Sequence, residues 1–139
     1  MILIPYAVNC EMSLQTFKIE AISKVKEAFE NSSLEYMLRL ENIDLWQESC
    51  KKLEYCPIQY ENVYVDYQLA YQRYHGGFWY DFSVLILNNN KVIGIWPITL
   101  SLKDNLYSLT ANGSPVLEPL FFNDTSKKLI KSSSNQCID

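Results

Sequence analysis

The sequence predicts a single α+β domain, and three observations carry that prediction. Apolar residues recur at helical spacing in the first half, nearly continuous apolar runs in the second half are divided by an Asn-rich turn, and no internal repeat occurs. The expected architecture is a central antiparallel or mixed sheet, with a β-hairpin over about residues 82–100 packed against N-terminal helices. One domain is expected over residues 1–131, followed by a disordered tail at 132–139, where Ser132-Ser133-Ser134-Asn135-Gln136 is polar throughout.

The elements follow in order. From Leu14 to Glu30, Leu14, Phe17, Ala21, Val25 and Ala28/Phe29 form an apolar stripe with Ser13 as N-cap, which predicts an amphipathic helix. Asn31-Ser32-Ser33 breaks it. Leu34, Tyr36, Leu38 and Leu40 alternate with Glu35 and Arg39, as a half-buried strand requires, with a helix as the alternative. Asp44 and Gln47 stand at capping-box spacing ahead of Trp46, Cys50 and Leu53, so a second helix is expected there, ended by Pro57. A third helix is expected from about Tyr67 to His75, with Asp66 as N-cap and Gly76-Gly77 as its stop. Phe82 to Leu87 is apolar at nearly every position and is expected mid-sheet, covered on both faces. Asn88-Asn89-Asn90 supplies the turn, because Asn tolerates the left-handed conformation a tight reversal needs. Lys91 to Leu100 returns, and Pro97 implies a bend or bulge because it has no N–H to donate. A further strand is expected from Leu106 to Thr110, and a last helix over Thr125 to Lys131.

Composition excludes several function classes. The chain has 139 residues, 12 Lys+Arg against 16 Asp+Glu, one His and four Cys, with 48% hydrophobic residues. A chain of this size buries enough surface to fold without a metal or a disulfide framework. The net charge of −4 and the scattered basic residues argue against nucleic acid as a partner. No run approaches the roughly 18 apolar residues of a membrane-spanning helix. The first residues lack the charged and apolar regions of a secretory signal, so a cytoplasmic location is expected. Cys10, Cys50, Cys56 and Cys137 are then expected as thiols, and neither they nor His75 match a zinc-ligand spacing. The N-x-[ST] matches at Asn31, Asn112 and Asn123 read as chance.

Catalytic signatures are sparse. His75-Gly76-Gly77 is similar to the glycine-rich oxyanion loops of esterases, but no G-x-S-x-G nucleophile elbow accompanies it, and Gly113-Ser114-Pro115 puts Pro where an N–H is required. A helix stop is the ordinary reading. No dinucleotide, P-loop or zinc-protease motif occurs. Glu61, Asp66 and Asp81 could converge as paired carboxylates, although surface acids and helix caps are commoner. The strongest local signal is aromatic: Tyr60, Tyr64, Tyr67, Tyr71, Tyr74, Phe78, Trp79, Tyr80 and Phe82 fall in one window. Such side chains join an apolar body to a polar tip, and suit a ligand groove or a protein interface as well as a core. The candidate binding residues are Tyr67, Tyr71, Tyr74, Trp79 and Trp96; the candidate bases are His75, Asp81 and Tyr80.

The run from Val63 through Phe122 resembles the N-terminal part of the Fem-type, FemAB-like acyltransferases, a branch of the GNAT fold found in peptidoglycan-bridge and polysaccharide pathways. The residues that carry the resemblance are the short helix Asp66-Tyr67-Gln68-Leu69-Ala70-Tyr71, the strand Val84-Leu85-Ile86-Leu87, and Val92-Ile93-Gly94-Ile95-Trp96-Pro97-Ile98. Leu109, Gly113-Ser114-Pro115 and Pro119-Leu120-Phe121 continue it. The resemblance implies an acceptor-side scaffold. The R/Q-x-x-G-x-G/A loop on which GNAT enzymes seat the acyl-CoA pyrophosphate is missing from this sequence. Two expectations follow. One is a non-catalytic binding or interaction domain, homo-oligomeric or bound to a partner protein, with no cofactor. The other is an acyl- or aminoacyl-transferase component that uses acyl-CoA together with a second chain. An unrelated α+β ligand-binding domain stands as a third.

Overall fold

The computed structural model describes residues 3–5, 34–104 and 106–122, together with positions 16, 19, 20, 22–24, 26, 27, 29 and 30. The described positions between 16 and 30 are helical (α1), and Phe29 is buried while Ile19 and Ile22 are exposed, as the predicted stripe requires. The expected last helix at 125–131 and the tail at 132–139 lie outside the described residues, as does Ser13. The remaining helices are α2, Ile43–Lys52, and α3, Asn62–Tyr74. The strands are β1 Leu3–Pro5, β2 Glu35–Leu38, β3 Phe78–Asp81, β4 Val84–Asn88, β5 Lys91–Trp96, β6 Thr99–Lys103, β7 Leu106–Thr110 and β8 Leu120–Phe121.

The α+β class and the hairpin are as the sequence predicts, but the one expected sheet is two. Among the described residues, one sheet has the order β1-β7-β6-β3 and the other β2-β4-β5-β8, with every pairing antiparallel. A single long hairpin serves both. Asn89 and Asn90 close it with φ of 50° and 62°, the two left-handed residues of a type I′ turn. Its pairing then runs without a shift from Ile86/Gly94 through Val84/Trp96 and Asp81/Thr99 to Phe78/Leu102. The only irregularity lies near the tip, where Leu87 pairs with Val92 and Ile93 is the extra residue of a bulge.

The hairpin bends at Phe82-Ser83 and Pro97-Ile98. Phe82 N–H donates to the Ile98 carbonyl at 2.8 Å, a single backbone bond that ties the two arms at 82/98 and turns the backbone groups of 83 and 97 outward. Pro97 therefore costs the hairpin no rung. The Ile98 N–H goes to Ser83 Oγ at 3.1 Å, and the Ser83 carbonyl accepts from Arg39 N–H at 2.8 Å, so neither backbone group is orphaned at the corner.

Two cores result. Even-numbered residues of the first hairpin arm, including Phe82, Val84 and Ile86, join Trp96, Ile98, Leu100, Leu102 and Tyr107 in a core that both sheets line. On the opposite face of the second sheet, Leu85, Leu87 and Ile95 pack with Trp46 and Cys50 of α2 and with Tyr60. β4 is thus covered on both faces, as its unbroken apolar run implies. Gly94 is required where β8 crosses, because a Cβ there would lie 2.5 Å from the Leu120 carbonyl oxygen.

Several boundaries differ from the prediction. α2 starts at Ile43 after Asn42, and no side-chain cap bond forms, so the Asp44/Gln47 capping box is not used. It ends at Lys52, ahead of Pro57, where Leu53 turns extended. Arg39, placed on the polar side of a strand by alternation, opens a 3-10 turn, Arg39–Glu41, and is 0% exposed. α3 starts five residues before the predicted Tyr67, and its N-cap position is Glu61, not Asp66.

Candidate functional site

The aromatic window divides at α3. Val63, Tyr64 and Val65 favour strands locally, yet Val65 and Leu69 lie four residues apart on one side of α3 and are buried, 0% and 3% exposed. Tertiary packing overrides propensity there. Asn62 and Gln72 share that side: Asn62 holds Arg39, and Gln72 Nε2 donates to the Asn112 carbonyl at 3.0 Å. At the C-terminal end, the Arg73 guanidinium donates to the Trp79 carbonyl at 3.0 Å. Trp79 Nε1 donates to the Gly76 carbonyl at 3.0 Å. Gly76 and Gly77 adopt φ of 100° and 87°, which confirms the predicted helix stop.

The opposite side of α3 faces outward and carries an aromatic stripe. Val63, Tyr67, Tyr71 and Tyr74 recur at spacings of four, four and three, which places them on one helical face. Their exposures are 82%, 62%, 48% and 87%. Tyr67 and Tyr71 stack with ring centroids 6.4 Å apart, and the His75 ring extends the row, 4.5 Å from Tyr71 and 5.3 Å from Tyr74. Exposed Ile58 lies in the 3-10 turn Ile58–Tyr60 that packs beside α3. Asn62 Nδ2 donates to the Ile43 carbonyl at 3.2 Å, so the exposed Leu40 and Ile43 also lie by the N-terminal end of α3.

Two of the three acids suggested by the sequence do converge, on a cation rather than a reaction centre. Arg39 Nη1 donates to Asp81 Oδ2 at 2.7 Å, Nη2 to Asp66 Oδ1 at 2.7 Å, and Nε to Asn62 Oδ1 at 2.9 Å. The guanidinium also lies 6.0 Å from the Trp46 ring. Asp81 Oδ1 accepts from Ser83 N–H at 2.9 Å, so this carboxylate fixes the hairpin corner while it neutralises Arg39. Asp66, predicted as a helix cap, serves the same knot.

The other candidates part company. Trp96 lies in the shared core, 5% exposed, with Nε1 donating to the Leu117 carbonyl at 2.7 Å, so it is separated from the exposed stripe. Trp79 is half-buried on β3 beside the end of α3. Tyr80 faces the shared core against Phe82, and burial, with Glu41 and Asp81 adding, pushes its phenol above the usual range. A phenol held protonated is no base at neutral pH. Among the described residues, no hydrogen bond or ion pair orients the His75 imidazole. Ser114 sits in a turn closed by its own hydrogen bonds to Ala111. Asn112 is 6% exposed with its side chain bonded to Thr99, which leaves that glycosylation match without an accessible amide. No group of three or more His, Cys, Asp or Glu among the described residues could hold a metal ion, and no described helix is long and apolar enough to cross a membrane.

Sequence reasoning missed Arg39, Asn62 and Val63. Arg39 lies in phase with Glu35 on an alternating segment, and only its carboxylate partners 27 and 42 positions away distinguish it from a solvated arginine. Val63 joins the row only because α3 begins at Asn62, in a stretch whose local propensity favours a strand. No protein-family model matches this sequence, and neither the curated proteins nor the solved structures yield a match.

Proposed function

We propose that this chain is a non-catalytic interaction domain and that the outer face of α3 is its docking surface, occupied by a second copy of the chain. The observation that carries this reading is the row Val63, Tyr67, Tyr71, Tyr74, which is exposed although α3 is anchored on its other side by Arg39, Gln72 and Arg73. Aromatic side chains with wet tips are the residues on which interfaces concentrate their binding energy. The row carries no carboxylate, lysine or arginine, so two copies of an acidic chain can meet along it about a two-fold axis without opposing like charges. A helix of thirteen residues is about 20 Å long, which supports a small interface and a reversible dimer rather than an obligate one.

The test is sedimentation equilibrium over a wide concentration range, with Y67S/Y71S as the variant. A monomer–dimer equilibrium that the double substitution weakens at least tenfold, with the melting temperature unchanged, supports the reading. A protein monomeric at every concentration, or a dimer indifferent to the substitutions, sinks it. Acyl-CoA in parallel samples addresses the transferase reading that the resemblance implies: a melting temperature that rises with acyl-CoA concentration favours that reading, because a ligand bound only by the folded state stabilises it by mass action.

A further inference from the structure

On the far side of the molecule from the shared core, two thiols converge where α2 ends. Cys50, in the last turn of α2, is 4% exposed, and Cys56, in the connection that leads to the 3-10 turn Ile58–Tyr60, is half-buried against the same cluster of Trp46, Leu85, Leu87 and Ile95. Both point at one short turn. Cys50 Sγ donates to the Tyr60 carbonyl at 3.5 Å and Cys56 Sγ to the Pro57 carbonyl at 3.7 Å, and the two thiols are near enough to influence one another's ionisation. Leu53, extended at φ −73° and ψ 140°, ends the helix between them and lets the chain double back.

We infer that Cys50 and Cys56 form a dithiol/disulfide couple, a modification site that low-molecular-weight disulfides oxidise to an intramolecular bond within the folded domain. The chemistry is thiol–disulfide exchange in two steps. The Cys56 thiolate attacks one sulfur of the external disulfide, whose other sulfur leaves as a thiolate, and a mixed disulfide forms on Cys56. Cys50 then loses its proton to solvent and attacks Cys56 Sγ; the Cys50–Cys56 bond forms and the second small thiolate leaves. Two electrons pass to the external disulfide and two protons to water.

The order of attack follows from access, since Cys56 is partly exposed and Cys50 is not. Oxidation strands little. The Tyr60 carbonyl keeps Trp46 Nε1 as a donor at 2.7 Å after the Cys50 S–H is gone, and the Pro57 carbonyl keeps the Tyr60 N–H at 2.9 Å. Burial raises both thiols, so the exchange is slow near neutrality and speeds up as the pH rises. The couple therefore responds to prolonged oxidising conditions rather than to brief ones.

The experiment incubates the folded full-length chain, carrying C10S/C137S so that only this pair remains, with oxidised glutathione, followed by acid quenching, intact mass and peptide mapping. The expected product is lighter by two hydrogen atoms, maps to a Cys50–Cys56 crosslink, and melts on the order of 5 °C higher than the reduced chain. Its rate of formation rises about tenfold between pH 7 and pH 8. C50A in the same background stops at a glutathione adduct on Cys56. A stable adduct on Cys56 when both thiols are present, two thiols still open to alkylation after long incubation, or an oxidised form that melts below the reduced one overturns the inference. The first two results need no variant in the core, so a poorly folded C50A leaves the test intact.

Discussion

The two sheets share a hairpin and a core, yet their outer faces are built on opposite principles. Outside the second sheet, Leu85, Leu87 and Ile95 meet the apolar side of α2. Outside the first sheet, beside α3, stand Asp81, Thr99, Ser101 and Thr110, all buried to 6% exposure or less. Those polar groups are paired with one another and with the helix side: Thr99 Oγ1 donates to Asn112 Oδ1 at 2.8 Å, the Ser101 and Ser108 hydroxyls lie 2.8 Å apart, and Asp81 holds Arg39. Equal depth is thus reached by area removed from water on one side and by hydrogen-bond completeness on the other. The first mechanism tolerates volume-conserving change; the second tolerates almost none, because losing one partner leaves another group buried and unmet.

Three substitutions, in descending order of expected effect, and one conservative control sharpen that contrast. R39A removes the only cation from the Asp81 knot and leaves a carboxylate with 0% side-chain exposure uncompensated, so urea unfolding should show a loss of about 3–5 kcal/mol. A loss under 1 kcal/mol would mean that the knot contributes shape rather than stability. L85A, on the apolar side, should cost about 2–5 kcal/mol by transfer and cavity terms. Its conservative counterpart L85M should cost under about 1.5 kcal/mol, which is the tolerance the polar face lacks. T99V is nearly isosteric, yet it should cost about 1–3 kcal/mol because the Asn112 side chain and N–H lose their partner. If T99V proves no worse than L85M, the distinction between the two faces fails.

The smallest effect concerns Tyr60, whose hydroxyl donates to the Glu118 carbonyl at 2.6 Å and whose phenol is pushed up to about 12 by burial, then by Glu118 and Cys56. A group whose pKa is higher in the folded than in the unfolded state contributes its stability fully below the unfolded value. That contribution is lost as the pH rises toward the folded value. The protein should therefore weaken between about pH 10 and pH 12, and Y60F, about 1 kcal/mol less stable at neutral pH, should weaken less across that window. Identical alkaline titrations of the two proteins would remove Tyr60 as the cause.

Local pattern carried the hairpin, the β7 limits and the helix stop at Gly76-Gly77, because turn chemistry and period-two alternation act within a few residues. It did not carry the division into two sheets. Pro97 marks a bend, but the partners that make the bend harmless, Ser83 Oγ and Arg39 N–H, are a hydroxyl and an amide that look ordinary in the sequence. The same limit applies to the candidate site. Tyr67, Tyr71 and Tyr74 were legible as a cluster, whereas their separation from Trp96 depends on which face of a helix and which face of a sheet meet water. Arg39 was illegible because a buried charge is recognised by its partners, and those come from α3 and from β3.

The bulge at Ile93 settles a question of parity. The turn at Asn89-Asn90 starts the hairpin with Asn88 opposite Lys91, a phase that, carried on without interruption, would bring Tyr80 opposite Thr99. By absorbing one residue at the tip, the bulge changes odd to even once, and in the first sheet this sets Tyr80 opposite Leu100 and Phe78 opposite Leu102 on the core face, with Asp81 opposite Thr99 and Trp79 opposite Ser101 on the other. One added residue near the tip sets the inside and the outside of a sheet it does not belong to. A single insertion between Gly94 and Ile98 would consequently be read as an error in both sheets at once.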